Sequence, residues 1–218
     1  MSPPDRRLVG TGRLEAFSDG VLAIAITLLV LDLHTDNEPG RLAHDLGQQW
    51  ASYLAYVASF LYIGVVWVNH HALFTRIERV DTGLLWRNLG LLLAASVLPF
   101  PTAELAFAMG SGTRGDQVAA ILLYSGVTFA LATTWLLAFR HLHRHPELLA
   151  ADVPANFFAA ERARAVGGMV APVVIAAIGV VAPLAALVTM VVTPVFYAAT
   201  AEGLPSRGAD DDARVSEQ

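Results

Sequence analysis

The chain has 218 residues, 55% of them hydrophobic and only 15% charged, with a formal net charge of −5. Soluble domains carry about 25% charged residues, so this composition excludes an ordinary soluble protein and describes a helical bundle in a lipid bilayer; the acidic balance argues against nucleic acid as a partner. Cysteine is absent and all 14 Lys+Arg positions are arginine, which excludes disulfides, thiolate metal centres, a lysine Schiff base and a P-loop lysine.

The first predicted helix covers about residues 12–33. No small-residue cleavage site follows a short apolar core, so this helix is expected to stay rather than be removed as a signal peptide. Its clean apolar run, Gly20 to Leu31, is too short to cross alone, because ~30 Å of hydrocarbon takes ~20 residues at ~1.5 Å each. Asp19 therefore lies at membrane depth or in a wet recess there, where an ionisable group faces a partner or a water path. A polar stretch from Thr35 to Gln49 follows, with Pro39-Gly40 as a turn signal.

The second span runs from about Trp50 to Leu73 and ends in Trp67-Val68-Asn69-His70-His71. The third covers about Thr82 to Leu105, with Pro99 and Pro101 near its end. The fourth covers about Asp116 to Arg140, and a polar stretch from His141 to Arg164 comes next. The block Ala165 to Ala201 suits two short spans, 165–181 and 184–201, with Pro183 at the turn. The tail, 203–218, is polar and acidic and reads as disordered. The resulting expectation is an all-α, polytopic membrane protein with one six-helix domain over residues 1–202.

Six spans place both termini on one side. Twelve arginines fall there and only Arg41 and Arg114 fall opposite, so the positive-inside bias makes that side cytoplasmic.

At ~100° per residue, Ile24, Leu28 and Leu31 share one face of the first helix, with Thr27 at its edge and Asp19 almost opposite. Periodicity alone favours the plain reading that these aliphatics face lipid or neighbouring helices. A lone threonine more often bonds back to its own helix than to an ion. Asp19 needs donors, and Trp67, His70 and Asn88 supply an indole N–H, an imidazole and an amide at the same membrane level. Arg13 and Ser18 are nearer in sequence. Such a cluster suits either a gate or a network that simply tethers three helices.

Adjacent His70 and His71 diverge on a helix and do not form a chelating pair. His141, His143 and His145 alternate in a polar stretch, where a solvated loop is a better reading than a metal site. No nucleophile–base pair or phosphate cradle points to an enzyme. Asp32, Asp36, Glu38 and Glu104 read as interfacial acids, or as an outer vestibule that concentrates cations. A proton-coupled transporter using Asp19 and His70 is the competing membrane function.

Arg13-x-x-x-Phe17-Ser18-Asp19, running into Gly-Val-Leu-Ala-Ile-Ala-Ile-Thr-Leu-Leu-Val-Leu, resembles the first helix of the prokaryotic branch of the transmembrane protein 175 family of potassium-permeable channels. The resemblance extends to Trp67, Asn69-His70-His71, Trp86-x-Asn88 and Leu98-Pro99-Phe100-Pro101-Thr102. It covers the first three helices well and the last three only in hydropathy. It implies a homotetramer in the inner (plasma) membrane, with four first helices around a central pore that potassium ions cross, and no cofactor. By motif position Ile24, Leu28 and Leu31 would form the hydrophobic constriction and Thr27 the hydroxyl layer behind potassium preference. Arg13, Phe17, Ser18 and Asp19, with Trp67, His70 and Asn88, would form the network near the intracellular end. A proton-conducting channel is the alternative within the family. The chain lacks a Thr-Val-Gly-Tyr-Gly loop, so selectivity must come from pore width, hydroxyls and electrostatics rather than carbonyl rings.

Overall fold

A computed structural model describes residues 10–33, 39–151, 153 and 157–200. The tail at 203–218 lies outside the described residues. The elements are α1 (Gly12–Leu28), α2 (Leu42–Gln48), α3 (Trp50–Phe74), α4 (Thr82–Val97), α5 (Pro99–Ser111), α6 (Arg114–Arg144), α7 (Phe157–Val181) and α8 (Pro183–Thr200), with single 3₁₀ turns at Leu29–Asp32 and Pro146–Leu148. Among the described residues, five helical segments are long and apolar enough to cross a membrane: Gly12–Asp32, Trp50–Phe74, Thr82–Ser111, Arg114–Arg144 and Arg164–Val181. A shorter apolar helix covers Pro183–Ala198.

The first span gains its length at its end. Its 17 α-helical residues continue into four 3₁₀ residues, which at ~1.5 and ~2.0 Å per residue give roughly 33 Å. Gly40, at φ +85°, makes the turn that leads into the short helix α2.

The third crossing is interrupted at Leu98 and runs on to Ser111, past the predicted end near Leu105. Pro99 lacks an N–H and its ring crowds the carbonyl one turn back. The Leu98 N–H shifts to the Ala95 carbonyl at 3.2 Å, and the Thr102 N–H recovers the ladder on the Leu98 carbonyl at 3.2 Å. Prolines 172 and 194 lie inside α7 and α8, as membrane helices tolerate where neighbours satisfy the freed groups.

Lipid is as apolar as leucine, so helix association in a bilayer rests on close packing and polar contacts rather than on hydrophobic transfer. Small residues do much of this. Ala51, Ala55, Ala58 and Ser59 are buried along one side of α3, which packs on α5 and α8. Gly179 of α7 lies directly against Ile121 of α6.

At one end of the bundle the segments 75–81 and 145–151 are sewn together. The Glu78 and Arg79 N–H groups both donate to the Leu148 carbonyl, at 2.9 and 3.2 Å, and the Ala150 N–H donates to the Arg76 carbonyl at 3.0 Å. Leu73, Phe74, Ile77, Val80, Leu84, Phe139, Leu142 and Leu148 form a second core beneath them. At the other end Arg114 caps α7, donating to the Val180 and Val181 carbonyls at 3.2 and 2.8 Å.

Candidate functional site

α1 is two-sided. Ser18, Leu22, Ala25 and Leu29 are buried against the bundle, where α1 meets α3 and α4. The other side is uncovered by the rest of the chain. Phe17, Ile24 and Leu31 are 55%, 61% and 68% exposed, Leu28 is 43% exposed, and Arg13 and Thr27 are exposed with them.

The buried side is tied down by a directional chain. Ser18 Oγ donates to the Leu14 carbonyl at 2.8 Å. Its hydrogen is thereby spent, so it accepts from the Asn88 amide, whose Nδ2 donates at 2.9 Å. That orientation turns Asn88 Oδ1 toward His70, and an amide oxygen only accepts. His70 Nε2 therefore carries the hydrogen of the 2.9 Å bond between them. His70 is 1% exposed. Its ring stacks on Phe74, with centroids 4.2 Å apart and planes at 17°. The order is His70 to Asn88 to Ser18 to Leu14, each donor pointing the same way and polarising the next.

A separate bond holds the same level. Trp67 Nε1 donates to Asp19 Oδ1 at 2.9 Å. Together the contacts join α1 to α3, α1 to α4, and α3 to α4.

The structure brings Ser18, Asp19, Trp67, His70 and Asn88 to one level, but in two chains rather than one cluster. Of the three donors expected for Asp19, only Trp67 reaches it; His70 and Asn88 bond each other. Arg13 does not join either chain. Five residues before Ser18, it lies ~140° away around the helix, on the side of Ile24, and has no hydrogen-bond partner among the described residues. Phe17 shares that side. Thr27 Oγ1 donates back to the Ile24 carbonyl at 2.9 Å, which leaves only lone pairs to face outward.

A second polar layer, with no counterpart in the sequence pattern, lies deeper in the bundle. Thr102 Oγ1 donates to the Leu98 carbonyl at 2.8 Å. It must then accept from Ser59 Oγ at 2.7 Å, and Ser59 in turn accepts from the Tyr124 hydroxyl at 3.2 Å. These residues are 43 and 65 positions from Ser59 in sequence, and no local pattern announces them.

His141 corrects the sequence expectation. The alternating histidines predict a solvated loop, yet α6 continues to Arg144 and His141 is 8% exposed. Its Nε2 lies 2.8 Å from Asp81 Oδ1. Asp81 caps α4, accepting the Leu84 N–H at 2.7 Å. Burial alone would raise the Asp81 carboxyl, but the Leu84 N–H and His141 outweigh it and hold the group below its ordinary value.

An all-α fold with apolar membrane-length helices, apolar residues exposed along their outer faces and buried polar contacts between helices defines a polytopic membrane protein. A family model described as "Endosomal/lysosomal potassium channel TMEM175" matches residues 13–99. A protein of Streptomyces collinus named as a potassium channel is 45% identical over 177 residues, covering 80% of this chain and 85% of that relative. The crystal structure of a lysosomal potassium-selective channel TMEM175 homolog from Chamaesiphon minutus superposes with a TM-score of 0.75 at 31% identity, over 88% of this chain and 98% of that one. A Gallus gallus protein named as the endosomal/lysosomal proton channel TMEM175 is 36% identical over 140 residues, 57% of this chain and 28% of that protein. The chain belongs to the TMEM175 family, a family of channels and not of enzymes.

Proposed function

We propose that this chain is a potassium-permeable cation channel of the inner (plasma) membrane, built as a homotetramer around four copies of α1. The observation that carries this reading is the division of α1. Its buried side is pinned to α3 and α4, while Ile24, Thr27, Leu28 and Leu31 occupy the side no other helix of the chain covers. Four such sides meeting on an axis enclose a narrow apolar neck. Ile24 supplies its tightest ring, with Leu28 and Leu31 one and two turns on. A neck of this kind gates by dewetting, since an ion must shed water to enter. Thr27, with its hydrogen spent on its own backbone, offers acceptor oxygens that suit a partly dehydrated cation. The permeant ion is the only small-molecule partner this mechanism needs, and no cofactor enters it.

The six-helix unit spans residues 1–202, with both termini cytoplasmic. Supporting this, Arg87 donates to the Leu137 carbonyl at 3.2 Å. The start of α4 and the end of α6 therefore share the arginine-rich end.

The names of vertebrate relatives favour a second reading, proton conduction through Asp19 and His70. In this chain those two residues sit in separate hydrogen-bond chains, and the one from His70 ends on a backbone carbonyl. A continuous side-chain wire between them is absent among the described residues.

Potassium and sodium fluxes of purified protein in liposomes, with its mass in detergent, test the proposal. Ile24→Asn should wet the neck, raise flux and erode the preference for potassium. A monomeric mass, or flux and selectivity unchanged by Ile24→Asn, rejects it. Proton flux that persists without potassium and vanishes in both Asp19→Asn and His70→Gln would favour the second reading.

A further inference from the structure

We propose that Asp81, His141 and His145 form a binding site for a divalent first-row transition metal of the zinc class, at the base of α4. One donor atom from each residue lies within 4.8 Å of the others. Asp81 and His141 are 7% and 8% exposed. The His145 side chain is 26% exposed, so an ion can enter from that side. Two imidazoles and one carboxylate are the donor set of open zinc sites, with the fourth position left to water.

The separations suit a small rearrangement. Bonds of ~2.1 Å at tetrahedral angles put ligand atoms about 3.4 Å apart. Asp81 Oδ1 and His141 Nε2 now stand at 2.8 Å, sharing a proton that a metal would displace. His145 approaches by a ring movement, its centroid being 4.5 Å from that of His141.

Three details go beyond a helix cap. Asp81 is already satisfied through Oδ1, which accepts both the Leu84 N–H and His141, so Oδ2 takes part in neither bond. His145 is not needed for that pairing, yet its Nδ1 is held at 3.0 Å by Glu147 Oε1. A carboxylate behind an imidazole is the arrangement that orients histidine toward a metal. Gly83 leaves the room: a Cβ there would stand 2.6 Å from His141 Cε1. The neighbouring cation Arg87 is held by the Gly83 carbonyl at 2.7 Å and the Leu137 carbonyl at 3.2 Å.

A bound ion would clamp the start of α4 to the end of α6. Asn88, which holds the His70–Ser18 chain, lies two turns up the same helix. The site is thus placed to stiffen the helix that anchors α1.

The test uses the full chain without an affinity tag, in detergent and stripped by chelator. Titrated with Co²⁺ as a visible-absorbing probe, it should bind one ion per chain, displaced by Zn²⁺. His145→Ala should weaken binding at least tenfold, while His143→Ala leaves it unchanged. Zn²⁺ should raise the melting temperature of the native chain and not that of His145→Ala. Absence of Co²⁺ binding, or wild-type binding by His145→Ala, overturns the proposal. Because no flux is read, the outcome is separate from that of the channel reading.

Discussion

Replacing Asn88 by alanine tests the directional chain at its centre. Two hydrogen bonds disappear, but they are not equivalent. Ser18 loses a donor and keeps its own bond to the Leu14 carbonyl, so it is left satisfied. His70 Nε2 loses its acceptor in a site only 1% exposed. One orphaned donor costs about 1–3 kcal/mol in a protein interior, whereas interhelical bonds in a bilayer average ~0.6 and reach ~1.7 kcal/mol. The buried position of His70 puts the expected loss near the upper membrane value, about 1–2 kcal/mol. For a chain of this length each kcal/mol moves the melting temperature ~2–4 °C, so Asn88→Ala should melt roughly 2–8 °C lower in detergent. Asp19→Asn is the control, because it retains the Oδ1 acceptor for Trp67 and should melt within ~1 °C of wild type by the same conversion. Equal melting of Asn88→Ala and Asp19→Asn would refute the assigned direction of the chain.

Ser59→Ala should cost about 1–2 kcal/mol, by orphaning the buried Tyr124 hydroxyl while Thr102 keeps its backbone acceptor; thermal melting reads this. Gly179→Ala gains ~1 kcal/mol of helix propensity but overpacks Ile121 at about 1–3 kcal/mol, so it should destabilise, whereas Gly126→Ala meets nothing within 4 Å and should stabilise. Opposite signs in one melting series check the α6–α7 contact. Asp81 sits below its ordinary carboxyl value of 3.8. Its contribution to stability is therefore present above that value and is lost as pH falls through the lower folded one. The melting difference between wild type and Asp81→Asn should shrink as pH falls below about 4.

Much of the helical order is legible from hydropathy, because each apolar block meets the length a bilayer demands. Helix ends are less so. The third span ends at Ser111 rather than near Leu105, one to two turns beyond the point where its apolar pattern fades. His141 and Arg144 read as loop because polar letters look solvated, yet α6 continues beside the second core and buries His141 against Asp81. The polar level at Ser18, Asp19, Trp67, His70 and Asn88 was visible as a set. Its division into two chains was not, because it depends on which hydroxyl hydrogen is already spent. Motif position and nearness in sequence put Arg13 with that set, although helical rotation turns it away from Ser18 within one chain. The Ser59, Thr102 and Tyr124 layer left no trace in sequence, since its members are far apart and individually ordinary.

The chain contains no cysteine, so a single introduced thiol reports one position without background. Leu93 of α4 is 65% exposed, close to the 61% of Ile24, and serves as the counterpart off the α1 stripe. Potassium current should be abolished by a water-soluble thiol reagent in Ile24→Cys and untouched in Leu93→Cys. Equal insensitivity of the two variants, with both thiols confirmed free, would show that Ile24 faces lipid and would contradict the placement of α1 on the ion path.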